Sequence, residues 1–157
     1  MGWTAVPVRG VRDMTASDLD GARLDDIVFS PRQAQQLFTE MKVDKMEKVS
    51  DRETYVVRGI RQNYPPVLLY FDKDAGLLLR MVRYTDSPFG MIPTQIDYAD
   101  YRNVDGVMVA FKRTITSPLD HQVIVVEKVQ QNIPIDGSRF AKPQPPAVAT
   151  GQGQPAR

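Results

Sequence analysis

The chain has 157 residues, a net charge of +1 from 20 Lys and Arg against 19 Asp and Glu, and ordinary apolar (42%) and charged (25%) fractions, as expected of one globular domain. The balance supplies no basic patch or stripe for nucleic acid, and no apolar run reaches the roughly 18 residues of a transmembrane segment. Cysteine is absent, which removes disulfides, thiolate metal sites, cysteine nucleophiles and covalent haem attachment together.

Residues 1–13 predict a short strand or two. Met1-Gly-Trp-Thr-Ala has neither the basic region nor the apolar core of a signal peptide. Thr15 to Ile27 predicts a helix capped by Ser17, with Asp18 and Asp20 at the positive end of its dipole. Its apolar stripe is modest and Gly21 weakens it. A second helix starts at Ser30 as cap and Pro31 as first helical residue, with Ala34, Leu37, Phe38 and Met41 at helical spacing.

From Lys42 the period changes from helical to alternating. Lys42–Val49 and Arg52–Ile60 flank a Ser50-Asp51 turn. A two-residue hairpin there pairs Val49 with Arg52, Lys48 with Glu53 and Met46 with Tyr55. Gln62-Asn-Tyr-Pro-Pro66 predicts a loop, because two prolines donate nothing to a ladder. Strands follow at Val67–Phe71 and Leu77–Thr85, joined by Asp72-Lys-Asp-Ala-Gly76. Ser87-Pro88 and Pro93 bend or interrupt the chain before Thr94–Arg102; Val107–Thr116 and Gln122–Gln130 complete about seven strands. The segment 144–157, rich in Pro, Gly and Gln, is expected to be disordered.

Asp105-Gly106 is a strong hairpin signal, since glycine tolerates positive φ. It pairs Val104 with Val107 and Tyr98 with Arg113, and opposite residues share a face. Strict alternation then gives an inward face holding Ile96 and Tyr98 with Val109, Phe111, Arg113 and Ile115. On the last strand Val123, Val125 and Val129 oppose Ile124 and Val126, and its inward face stays open. Val67–Phe71 and Leu77–Leu79 are apolar on both faces, the pattern of a strand covered twice. Two short helices cover one face of a curved sheet. The surplus belongs to an ordinary core, a partner or an apolar ligand.

Catalytic constellations are not visible. His121, the single histidine, sits in a turn and fits a solvated surface residue. The acidic group Asp18, Asp20, Asp25 and Asp26 fits a solvated helix face, and the Asp72–Gly76 loop lacks the later glutamate of a calcium loop. There is no phosphate loop and no serine elbow. No metal, no cofactor and no enzyme activity is expected.

Tyr70-Phe-Asp-Lys-Asp-Ala-Gly-Leu-Leu-Leu-Arg80 resembles the strand–turn–strand signature of the periplasmic lipoprotein-carrier family, the LolA/LolB-like fold. Asp97-Tyr-Ala-Asp-Tyr-Arg-Asn-Val-Asp-Gly-Val-Met-Val-Ala-Phe111 is similar to its next element, with Ala110 where the family often has proline. Asn132-Ile-Pro-Ile-Asp136 with Phe140 and Pro143 resembles its closing motif, and Trp3 with Gly10-Val-Arg-Asp-Met14 resembles the segment before its helices. The resemblance covers residues 3 to about 143. Related domains stand alone or C-terminal to multihaem c-type cytochrome modules. The opening strands of such domains are absent here, so residues 1–143 are expected to form a domain incomplete at its N-terminus.

The resemblance implies an α+β fold: a strongly curved antiparallel sheet, an open half-barrel, with two short helices on its concave side. It implies a periplasmic, non-catalytic binder of an apolar ligand, either a lipid or the acyl chain of a lipoprotein. Pairing offers Tyr98, Val109, Phe111 and Ile115 as lining, with Arg113 near a head group. Alternation adds Leu69, Phe71, Leu79 and Met81. The rival reading is an interaction domain of a cell-envelope or c-type cytochrome complex, its concave face filled by its own helices.

Overall fold

The computed structural model describes residues 2–6, 10–28, 31–88, 90–118 and 120–143. The expected tail, 144–157, lies outside them, as does Ser30. The chain divides into two units, one drawn from the first 20 residues and those after Ile133, the other Gly21–Ile133.

In the first unit, β1 (Trp3–Val6) pairs antiparallel with β2 (Gly10–Asp13), Trp3 lying opposite Asp13. The indole Nε1 of Trp3 donates to the carbonyl of Phe140 at 3.4 Å, and Lys142 pairs with Asp13 at 2.6 Å. The β1–β2 hairpin and the segment around Phe140 are therefore joined within this unit. Phe140 closes a 3₁₀ turn, Gly137–Phe140, whose cap is Asp136, accepting from the Ser138 N–H.

Helix α1 (Ala16–Asp25) runs on as a 3₁₀ turn, Asp26–Val28. Its cap is Thr15, not Ser17. The Thr15 hydroxyl accepts from the Asp18 N–H at 3.1 Å, and the Asp18 carboxylate accepts from the Thr15 N–H at 2.9 Å. This reciprocal box satisfies two donors at once, which a cap at Ser17 does not. Helix α2 spans Pro31–Leu37.

The second unit is built on seven consecutive antiparallel strands: β3 (Glu40–Val49), β4 (Arg52–Arg61), β5 (Tyr64–Asp72), β6 (Leu78–Ser87), β7 (Gly90–Val104), β8 (Val107–Ser117) and β9 (Asp120–Val125). Each strand neighbours the next, so the sheet is an up-and-down meander, open because β3 and β9 form its two edges. The α+β class and the open half-barrel are as the sequence led one to expect.

Both predicted hairpin registers are present. Val49 pairs with Arg52, Lys48 with Glu53 and Met46 with Tyr55; Val104 pairs with Val107 and Tyr98 with Arg113. Two proline expectations are corrected. Pro65 and Pro66 lie inside β5, at an irregularity where the β4 ladder passes from Gly59–Val67 to Arg61–Tyr64. Pro93 lies inside β7 opposite Tyr84, and β7 pairs with β8 only from Gln95 onward. Pro65 and Pro66 stand outside the β4 ladder, and at Pro93 strand β8 is not yet alongside to need an N–H.

Strands β5 and β6 are covered on both faces. Leu24, Ile27, Ala34 and Phe38 from the helical segment pack on Val67, Leu69, Leu78, Met81, Ile96 and Tyr98. On the opposite face Val49, Val56, Tyr70 and Leu79 form a second cluster, with Arg80 over the Tyr70 ring at 5.9 Å. Leu78 and Leu79 alternate to different clusters, and the irregularity between Tyr70 and Phe71, where Leu79 is the extra residue, puts Leu79 and Arg80 both on the Tyr70 side. The surplus apolar residues of the sequence therefore serve two cores.

Candidate functional site

The helix-side cluster leaves a cavity of about 250 Å³ in the second unit. Ile27 and Val28 line it from the end of the first helical segment, Ala34 and Gln35 from α2. Met41, Phe71, Leu78, Tyr101 and Met108 line it from β3, β5, β6, β7 and β8, with Gly76 and Leu77 from the turn between. Strands β3 and β8 are five steps apart. In a flat sheet that separation is about 24 Å, far more than a cavity of this size spans. The sheet is therefore bent around it, and the helix-covered face is the concave one.

The lining is apolar except for the Gln35 side chain and the Tyr101 hydroxyl. That hydroxyl donates to the Leu78 carbonyl at 2.5 Å, and burial pushes its pKa up. Tyr101 is thereby held with its ring along the cavity wall. Met41 and Met108 are 37% and 41% exposed and stand at the mouth, where unbranched thioether side chains adapt to what they touch.

Of the nine lining residues expected from the sequence, Phe71 reaches this cavity. Leu69, Met81 and Tyr98 are fully covered beneath the helices, and Ile115 packs against the same cluster half-buried. Leu79 belongs to the cluster on the other face. Val109 and Phe111 are a correction to the predicted inward face. Ala110, opposite Tyr101, is in the helix-side cluster instead. Val109 lies opposite Arg102, whose guanidinium sits 4.4 Å from the Phe111 ring.

The cause of the switch lies at Asp100. Its φ is +53°, the left-handed region, and the Asp100–Phe111 pair drops out of the ladder between Ala99–Lys112 and Tyr101–Ala110. The register is unchanged, but each strand turns over there. Below the switch Tyr98 and Arg113 face the helices; above it Tyr101, Met108 and Ala110 do. Glycine at Asp100 would have signalled it; aspartate occupies this region only occasionally.

Arg113 joins a polar group under the first helix. Asp25 pairs with Arg83 at 3.6 Å, and Arg113 and Tyr98 lie within electrostatic reach. Burial raises the Asp25 carboxyl, opposed by the Arg83 and Arg113 charges. Gly21 has a role here. A Cβ at that position would stand 3.0 Å from the Arg83 guanidinium, so the residue that weakens the helix also admits the arginine beneath it. Ile124 lies opposite Arg113, which places Ile124 on the helix side and leaves Val123 and Val125 exposed on the other.

The other polar candidates have structural partners. Asp72 is buried, accepts from the N–H groups of Asp74 and Ala75 at 3.1 and 2.6 Å, and pairs with Arg52 at 2.7 Å. Its carboxylate holds the β5–β6 turn. His121 is exposed, with Nδ1 3.2 Å from the Thr116 hydroxyl.

No family model and no curated protein matches the sequence. Two crystal structures are similar to it. One is a provisionally described outer membrane lipoprotein-sorting protein domain from Vibrio parahaemolyticus, at 16% identity over 59% of this chain, with a TM-score of 0.42. The other is a LolA superfamily protein from Nitrosomonas europaea, at 17% identity over 69% of this chain, with a TM-score of 0.44. This chain spans about half of each, 44% and 51% of their lengths. Likeness at this level assigns it no activity.

Proposed function

We propose that the second unit is a non-catalytic binder of an apolar chain, a lipid acyl group or that of a lipoprotein, working in the periplasm. The observation that carries this reading is the cavity between helices and sheet, walled by side chains from five strands and two helical segments. Its volume of about 250 Å³ is just under the range of roughly 300–1,000 Å³ usual for small-molecule sites. That size suits part of one acyl chain rather than a whole lipid, with the remainder leaving past Met41 and Met108. Among the described residues no charged side chain lines the wall, so binding rests on apolar burial.

A second reading has an observation of its own. Leu24, Ile27, Ala34 and Phe38 already fill most of the helix-side face. In that case the unit docks a cell-envelope protein or a c-type cytochrome, and the cavity is a packing defect.

A fluorescent fatty-acid probe separates the two. The acyl-binding reading expects saturable binding that Met108→Glu weakens by at least about ten-fold, while the thermal midpoint stays put because Met108 is 41% exposed. A folded wild-type protein that leaves the probe free in solution defeats it. Phe111→Asp is not a useful probe of binding, since Phe111 is buried away from the cavity lining.

A further inference from the structure

Strand β3 is one edge of the seven-stranded sheet and is exposed at every residue but Val49. Its outward N–H and C=O groups have no strand beside them among the described residues. Its sequence is Glu-Met-Lys-Val-Asp-Lys-Met-Glu-Lys-Val. Turned by a two-fold axis between Asp44 and Lys45, the central residues 42–47 of this strand complement themselves. Lys42 falls opposite Glu47, Asp44 opposite Lys45 and Val43 opposite Met46, and each match occurs twice.

The bulge in β3 makes that register geometrically allowed. In a regular strand, residues presenting their backbone groups to the outer edge are all odd or all even. Antiparallel self-pairing then matches odd with odd. Here Asp44 is an extra residue between the pairs Val43–Val57 and Lys45–Val56, and parity reverses at it. Val43 and Met46 lie opposite Val57 and Tyr55, on one face; Lys42 and Glu47 lie opposite Arg58 and Thr54, on the other. Odd-with-even matches therefore meet with both face and backbone orientation in agreement.

Lysines on an edge commonly prevent strand pairing. In this register Lys42 and Lys45 each meet an acid. Their present partners are within the strand, Glu40 at 2.6 Å and Glu47 at 3.0 Å, in exposed pairs that cost little to exchange. Val43 and Met46, 65% and 50% exposed, are covered in the same step.

We infer that β3 is a self-recognition edge, on which a second copy of this chain adds its own β3 antiparallel and doubles the sheet. The inference is independent of what the cavity binds. One strand pair is a small interface, so the dimer is weak and concentration-dependent. Its charge matches make it weaker in high salt.

Sedimentation equilibrium on the full chain, from micromolar to millimolar at low salt, tests it. The wild-type mass is expected to climb toward twice the monomer. Lys42→Glu sets acid against acid, and Glu47→Lys sets lysine against lysine, so each variant alone dimerises about ten-fold more weakly or not at all. An equimolar mixture of the two regains the dimer, because each strand then meets its opposite. Circular dichroism checks that both exposed substitutions leave the fold intact. A wild-type mass constant at the monomer, single variants that dimerise like wild type, or a mixture that stays monomeric overturns the inference. So does growth beyond two copies, which means β3 is pairing with another edge such as β9.

Discussion

Tyr98 and Tyr101 stand on the same strand and face the same helices, yet their hydroxyls meet different surroundings. The Tyr101 hydroxyl donates to the Leu78 carbonyl, whereas the buried Tyr98 hydroxyl has no hydrogen-bond partner among the described residues. Removing a satisfied hydroxyl loses about 1 kcal/mol, and removing an unsatisfied one loses nothing or gains a similar amount. Tyr101→Phe is therefore expected to lower the urea midpoint and Tyr98→Phe to hold or raise it. Equal losses in the two variants would contradict this account.

Asp25 gives the molecule a pH dependence with a definite sign. Burial raises its carboxyl above the unfolded value of about 3.9. The folded state then binds that proton more tightly than the unfolded state does. Its stabilising contribution is complete below the unfolded value and is lost as pH rises through the folded one. Asp18 has the opposite sign: the Arg12 guanidinium, then Thr15, hold its carboxyl well below the usual range, so its contribution is lost as pH falls. Asp25→Asn is expected to flatten the decline of stability as pH climbs past about 4, read as urea midpoints over a pH series. Parallel curves for variant and wild type would remove Asp25 from the explanation.

At the scale of elements, the close fit between α2 and the sheet rests on one absent side chain. The Phe38 ring, just after α2, lies over Gly59 of β4, where a Cβ would meet it at 2.5 Å. Gly59→Ala overpacks that contact and is expected to cost about 1–3 kcal/mol, measured by thermal or urea unfolding. An unchanged midpoint would show that α2 lifts freely from β4. Turn chemistry made the hairpins legible: Asp105-Gly106 gave the pairs of β7 with β8, and Ser50-Asp51 gave those of β3 with β4 as far as Lys45–Val56, where the bulge at Asp44 shifts the register by one. The reversal at Asp100 was not legible. Alternation assumes an unbroken ladder, and a single left-handed aspartate redirected Val109 and Phe111 away from the helices and Ala110 and Met108 toward them.

For the second unit as a whole, β4 to β8 are paired on both sides and β3 and β9 on one. Protection from amide exchange in dilute solution should follow that order, with β5 and β6, buried on both faces, exchanging slowest and β3 fastest. Slow exchange throughout β3 under those conditions would mean that its edge is covered within the chain.

By itself the sequence determined the class, the order of elements, the hairpin registers next to their turns and the presence of more apolar residues than one face requires. Each follows from neighbours along the chain or across a short turn. It did not determine where those residues go. The cavity joins Met41 of β3 to Met108 of β8 through a bent sheet, and its wall depends on a strand reversal at Asp100. Contacts between strands five places apart arise from the summed twist and bending of all the strands between them, and only the tertiary structure carries that sum.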